Sequence, residues 1–195
     1  MSFTKSITKA ELMELPLSAY KGKVVIASTE ESIQQAMDEI NQFDVVGFDT
    51  EAKPTFKKGQ IRKISLIQIG TPEKVYLLRI LHSGLLPCIV DFMENPNITK
   101  VGIGLEDDFN LLNNLQNFNQ QGFLDLNKKF VEIGAENVGA RNLAGMIMGI
   151  RISKSAQTSN WEVEQLTEKQ IRYAATDAWI CLEIYEKLDE LGFIE

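Results

Sequence analysis

The chain has 195 residues, 44% of them hydrophobic and 24% charged, with two cysteines, one histidine and a net charge of −7. This length and balance fit one soluble globular domain with a real core, and they exclude a disulfide framework or a His-rich metal site. No apolar run approaches the ~18–20 residues a membrane span needs, and the mixed, charged first thirty residues lack a signal-peptide pattern, so a cytoplasmic protein with no membrane partner is expected.

Residues 1–22 read as an N-terminal extension and 23–195 as one domain. A short strand is expected at 23–27 (KVVIA), then a helix capped by Thr29 with Ile33, Met37 and Ile40 on one stripe. Residues 43–49 (FDVVGFD) form a central strand. Residues 61–69 (IRKISLIQI) alternate with period two and are expected to be a half-buried strand, and 74–78 a third. Short links make these three an antiparallel meander. A helix around 85–94, a strand at 99–103, a helix at about 106–115 and a short strand at 123–126 follow. The rest is helical apart from a polar loop at 151–160: one helix covers 138–149, and a last one, opened by the capping box Thr167–Glu168–Lys169–Gln170, runs to about Leu191. Three antiparallel strands followed by alternating helices and strands predict an α/β fold, a mixed sheet flanked by helices on both faces.

With His82 as the single histidine, acid–base chemistry must run on carboxylates, Tyr or Lys. Asp49 and Glu51 end a strand two residues apart, so they share a face and Thr50 points the other way. Taken alone, that is also what a solvated strand end looks like. Glu106, Asp107 and Asp108 open a helix, where acids suit the macrodipole. Asp108 has Leu111, Leu112 and Leu115 at +3, +4 and +7 and so belongs to the inward face, whereas Asp107 leans to solvent. Tyr173 and Asp177 are i and i+4 on the last helix, adjacent on one face. Asp177 lies among Ala174, Ala178, Ile180 and Cys181, a position costly for an acid unless it is paired or metal-bound.

In this order, FDTE (48–51), VGIGLEDD (101–108) and YAATDA (173–178), the chain resembles the DEDDy group of DnaQ-like 3′→5′ exonucleases, which have the ribonuclease H-like fold. The resemblance covers about 24–191. Lys154, Ser155, Gln157, Ser159, Asn160 and Trp161, followed by Leu166 and Thr167, look like the Werner-type and RNase D-like branches. The resemblance implies a catalytic set of Asp49, Glu51, Asp108, Tyr173 and Asp177. It also implies phosphodiester hydrolysis from a free 3′ end by two metal ions, releasing nucleoside 5′-monophosphates. Asp49 would bridge both ions, Glu51 and Asp177 complete one site and Asp108 anchors the other. Hard oxygen ligands suit Mg²⁺ or Mn²⁺. Tyr173, with an ordinary pKa near ~10, is a poor base and is assigned to orienting water.

A net negative charge argues against a generic nucleic-acid binder, but two divalent ions would cancel the charge of four ligand carboxylates. Lys53, Phe56, Lys57 and Lys58, with Arg62 and Lys63 beyond them, form a basic stretch that either contacts substrate phosphates or is a solvated loop, and Phe56 either stacks on a base or packs locally. Lys154 and Gln157 are candidate channel residues by the family pattern, and Trp161 and Trp179 are scaffold. The substrate is expected to be DNA, slightly ahead of RNA, acted on by a stand-alone exonuclease. A structured-RNA 3′ trimmer and an inactive nucleic-acid-binding module are the competing readings. Protein partners cannot be read from the sequence.

Overall fold

The structure, a computed structural model, describes residues 4–55, 62–136 and 138–194. Its elements are α1 (Lys9–Glu14), β1 (Lys23–Ala27), α2 (Glu30–Ile40), β2 (Val45–Ala52), β3 (Ile64–Gly70), β4 (Lys74–Leu78), α3 (Pro87–Glu94), β5 (Thr99–Gly102), α4 (Glu106–Leu115), β6 (Phe123–Asp125), α5 (Leu126–Glu132), α6 (Ala140–Met148) and α7 (Glu168–Glu190). Local chemistry sets several boundaries. Thr8, Thr29 and Thr167 close capping boxes on α1, α2 and α7, giving partners to first-turn N–H groups that a helix leaves open. α6 ends at Gly149, whose φ of 63° a residue without Cβ adopts freely. The stripe Ile33, Met37, Ile40 is the buried face of α2.

The described strands form one sheet in the order β1-β4-β3-β2-β5-β6. β2, β3 and β4 make the antiparallel meander, and β1, β5 and β6 join it in parallel. Alternation sorts the side chains onto two faces. Val46, Phe48, Ile67, Ile69, Tyr76 and Leu78 pack with α2, α3 and Leu112 of α4. Leu66, Val75 and Leu77 pack on the other face against Trp161 and Ala174, Ala175 and Ala178 of α7. Over Val101, α5, α6 and the second half of α7 close a third cluster. This is the mixed α/β sheet flanked by helices that the sequence implies.

Two expectations are corrected. β3 begins at Ile64, and all seven of its residues are buried rather than half of them, because α7 covers the face that alternation left to solvent. The helix expected at 138–149 begins at Ala140, after Gly139 as its N-cap. α1 and α5 are additional to the expected elements; each is short, with one and two buried residues, so neither carries a readable stripe. The segment ahead of β1 packs on the domain. A Cβ on Gly145 of α6 would meet the side chains of Ile7, Leu12 and Leu15, Leu17 bridges to Arg151, and the Tyr20 N–H donates to Thr176 Oγ1 at 3.0 Å. Among the described residues no helix is long and apolar enough to cross a membrane.

One close approach positions the site. Gly47 and Gly70 are paired across β2 and β3, and a Cβ on either would run into the backbone of Ala178. α7 therefore rides directly on the sheet. Asp177 precedes Ala178 and Asp49 lies two residues beyond Gly47, so the same close packing brings helix and strand carboxylates together.

Candidate active site

Asp49 and Glu51 occupy the α7-facing side of β2, where strand period two puts them. Asp177 meets them from the helix. One carboxylate oxygen from each lies within 4.8 Å of the others. Among the described residues no Lys or Arg forms an ion pair with any of the three. Burial pushes the Asp49 carboxyl well above its ordinary range, and the charges of Asp177, Asp108 and Glu51 push it further. Burial, then Asp177 and Asp108, raise Glu51 to about 9, although Arg62 opposes them. Asp177 is raised to about 7 by burial, against a hydrogen bond from Tyr173 and the charge of Lys154. Burial without a basic partner pushes all three carboxyls upward.

Asp108 stands outside that trio. It comes from the first turn of α4, whose position is set by Asp125 at the end of β6: its carboxylate accepts the N–H groups of Gly104 at 2.9 Å and Leu105 at 3.1 Å. Asp108 is half-buried while Asp107 is exposed, as the helix-face argument expects. The Thr50 hydroxyl donates to Asp108 Oδ1. Thr50 does point to the face opposite Asp49 and Glu51, and from there it holds the fourth acid beside the strand end. Burial raises Asp108 to about 6, with the Thr50 bond opposing.

Tyr173 sits one turn before Asp177, its ring tilted against Trp161 at 6.0 Å between centroids. Burial, followed by the charges of Asp177 and Glu51, drives its phenol far above the ordinary value. It therefore stays protonated and can donate a hydrogen bond but not act as a base. Trp161 is buried in the core, and Trp179 Nε1 donates to Glu183 at 2.8 Å.

Sequence reasoning missed Gln68. It is fully buried, faces Asp49 across the β2–β3 register, and neither of its amide atoms has a hydrogen-bond partner among the described residues. A buried amide without partners is costly. Its signal was a Gln inside ISLIQIG on the face that hairpin register assigns to Asp49. Clustered carboxylates without a basic partner, beside an orphaned amide, are the donor chemistry of a hard divalent cation, so these residues fit a metal site.

Two cavities flank the cluster. One of about 380 Å³ is lined by Asp49, Thr50, Glu51, Arg62, Gln157 and Tyr173 among others. The second, about 240 Å³, is lined by Asp49, Lys154, Gln157, Tyr173 and Asp177 among others. Lys154 and Gln157 are thus brought to the acids. Lys53 is turned to Glu162, 2.9 Å away. Phe56, Lys57 and Lys58 lie outside the described residues.

A family model described as 3′-5′ exonuclease matches residues 24–192. The chain belongs to this exonuclease family. The bifunctional 3′-5′ exonuclease/ATP-dependent helicase WRN of Mus musculus is 33% identical over 191 residues, which cover 91% of this chain but 13% of that protein. Three further curated relatives are matched over about a quarter of their length, and a 3′-5′ exonuclease of Arabidopsis thaliana, 26% identical, over 70%. The EXO domain of Aedes aegypti Nibbler superposes with a TM-score of 0.81 at 23% identity, covering 91% of this chain and 94% of that one. Escherichia coli RNase D, an exoribonuclease involved in structured RNA processing, superposes with a TM-score of 0.76 at 21% identity, covering 88% and 47%. These two likenesses establish the ribonuclease H-like exonuclease fold. In this exonuclease domain the acid trio and Asp108 gather where β2 and β5 end, under α7 and beside the start of α4.

Proposed function

We propose that the chain is a metal-dependent 3′→5′ exonuclease that hydrolyses the terminal phosphodiester bond of a nucleic acid with a free 3′ end and releases nucleoside 5′-monophosphates. The observation that carries this reading is the meeting of Asp49, Glu51 and Asp177 within 4.8 Å with no basic partner. In this reading Asp49, Glu51 and Asp177 would hold one divalent ion, and Asp108 together with Asp49 would hold a second. Mg²⁺ and Mn²⁺ suit an all-oxygen donor set. When bound, such ions supply Lewis acidity toward the attacking water and the departing 3′ oxygen.

The chain's own residues do the rest. Asp49 and Glu51, fixed on a central strand, set where the cleaved phosphate sits. Tyr173, held as a phenol beside Asp177, donates a hydrogen bond that orients the water. Asp108, beside the strand end on the Thr50 hydroxyl, completes the set of acids. Lys154 and Gln157 line the channel, and Lys53 joins them when it leaves Glu162.

DNA is the slightly favoured substrate. RNA is the second reading, supported by the fold shared with E. coli RNase D and with the Trypanosoma brucei RNase D solved in complex with RNA U12, which superposes with a TM-score of 0.76. The test is digestion of end-labelled DNA and RNA with Mn²⁺ or Mg²⁺. A 5′-labelled strand yields a ladder, a 3′-labelled strand yields labelled mononucleotide at once, and a blocked 3′ end stops the reaction. Cleavage of a circular single strand would overturn the exonuclease reading.

A further inference from the structure

We infer that a cavity outside the acid cluster is a phosphate-recognition subsite, which holds a backbone phosphate of the substrate strand away from the scissile bond; this rests on the nucleic-acid hydrolase reading above. The cavity has a volume of about 480 Å³ and lies between the segment ahead of β1 and the first two turns of α7. Its wall includes Lys21, Lys169, Arg172, Ser153 and Ser155, with Glu168 as the one acid. Lys169 and Arg172 are three apart on α7 and so share a helix face, and Lys21 comes from across the cavity. All three cations are exposed, and none forms an ion pair or side-chain hydrogen bond among the described residues.

Among the described residues only Lys53, Lys74 and Lys187 form ion pairs, each with a glutamate at 2.9, 2.5 and 2.7 Å, so an uncommitted cation is common in this chain; what sets Lys21, Lys169 and Arg172 apart is that they line one concavity. Three uncommitted cations and two hydroxyls around one concavity match the donors that bind a phosphate diester: Arg and Lys for charge, Ser for neutral hydrogen bonds. The position relates the cavity to the cleft. Tyr173 lines this cavity and both cavities at the acids, and Ser153 lines this one and the 240 Å³ cavity beside Asp177. The cationic cavity therefore adjoins the acids across Tyr173 and Ser153, within reach of a strand whose end lies at the acids. Next to Lys21, the Tyr20 N–H donates to Thr176 Oγ1 at 3.0 Å, so Lys21 follows an anchored backbone.

The test is binding of a fluorescent single-stranded DNA or RNA 12-mer in EDTA, where nothing is cleaved. Lys21→Ala/Lys169→Ala/Arg172→Ala should weaken binding roughly 10–100-fold at moderate salt. The slope of log K against log salt should flatten by about 0.7 for each phosphate that the variant no longer neutralises. Lys9→Ala/Lys128→Ala/Lys129→Ala removes the same charge elsewhere and serves as the control, with a much smaller expected effect. Lys169→Gln/Arg172→Gln, with its thermal midpoint checked, gives the same reading if the triple variant folds poorly. A scan that replaces one phosphate at a time by a neutral methylphosphonate should find an internal position whose penalty vanishes in the triple variant, because the two changes remove one interaction. Identical penalty profiles in wild type and variant, or equal weakening in variant and control, would overturn the subsite. A free nucleoside 5′-monophosphate that binds through these residues while oligonucleotides ignore them would overturn the backbone assignment and make the cavity a product site. A wild type that neither binds nor digests any oligonucleotide sinks the exonuclease reading instead.

Discussion

Lys100 and the acid trio both place ionisable groups inside the molecule, and the two are treated differently. Lys100, in β5, is fully buried, yet its ammonium donates to the carbonyls of Phe92 at 3.1 Å and Asn95 at 2.6 Å and lies over the rings of Phe92 and Phe123. That charge is served by the protein itself: it caps the end of α3 and ties the helix to the sheet. Among the described residues, Asp49, Glu51 and Asp177 face one another and Asp108, with the Thr50 N–H, the Tyr173 hydroxyl and distant cations as the only counterweights. A buried charge with protein partners is scaffold, whereas a buried cluster of like charges without them is built for something that arrives.

Neutralising one member of the trio should separate the two cases most sharply. Asp49→Asn or Asp177→Asn is expected to cut turnover on the order of 10³-fold or more, while the metal-free thermal midpoint holds or rises. A gain of about 1 kcal/mol would read as roughly 2–4 °C in a chain of this size. Lys100→Ala should do the reverse, leaving two buried carbonyls without a donor and costing about 1–3 kcal/mol each at most, with residual activity in the folded fraction. Thermal melts and steady-state rates on the same preparations check both signs.

Asp108 and Asp107 test the helix-face argument. Asp108→Ala is expected to lower turnover roughly 10²–10³-fold, whereas Asp107→Ala, at an exposed position, should stay within a few-fold. If the two exchanged behaviour, the assignment of the inward face of α4 would be wrong. Tyr173→Phe keeps the ring against Trp161 and removes the hydroxyl, so a drop of about 10–10³-fold is expected, with metal affinity retained. Full activity in that variant would remove the tyrosine from the chemistry.

Stability against pH sharpens the comparison further, because the two regions slope in opposite directions. The trio and Asp108 have folded pKa values raised above those of the unfolded chain, to about 9 for Glu51, about 7 for Asp177 and about 6 for Asp108. The folded state then holds more protons than the unfolded one, and metal-free stability should fall as pH rises from about 4 toward 9. Lys100 is lowered by burial to about 8. Between about 8 and the ordinary lysine value near 10.4 the unfolded chain binds the extra proton, so this residue makes stability rise with pH. Denaturant melts of wild type, Asp177→Asn and Lys100→Met across that range should show the acid slope flattened in the first variant and the alkaline rise abolished in the second.

Much of the fold and the site was legible in the residues because the relevant signals are local. β1, the helix stripe of α2, the capping box of α7 and the i, i+4 pair Tyr173–Asp177 need only neighbouring residues. What was not legible depends on which face another element covers. Period two in β3 suggested one wet face, but α7 lies on it. Thr50 reads as an outward residue, and only the arrival of α4 makes it a partner of Asp108. Gln68 reads as the polar half of an alternation, and only the buried register opposite Asp49 makes it an orphaned amide at the site. The cationic cavity joins residues about 150 positions apart in sequence, a span no pattern search covers.

The most direct measurement of the central claim is the thermal midpoint of the wild type and of Asp177→Asn, with and without millimolar Mn²⁺, at pH about 6 and about 8, since a metal that binds only the folded state stabilises it and must displace protons from its ligands. The account predicts that Mn²⁺ raises the wild-type midpoint, that the rise is larger at the higher pH, and that most of it disappears in Asp177→Asn. A wild-type midpoint that Mn²⁺ leaves unchanged at both pH values would contradict the claim that Asp49, Glu51 and Asp177 form a metal site.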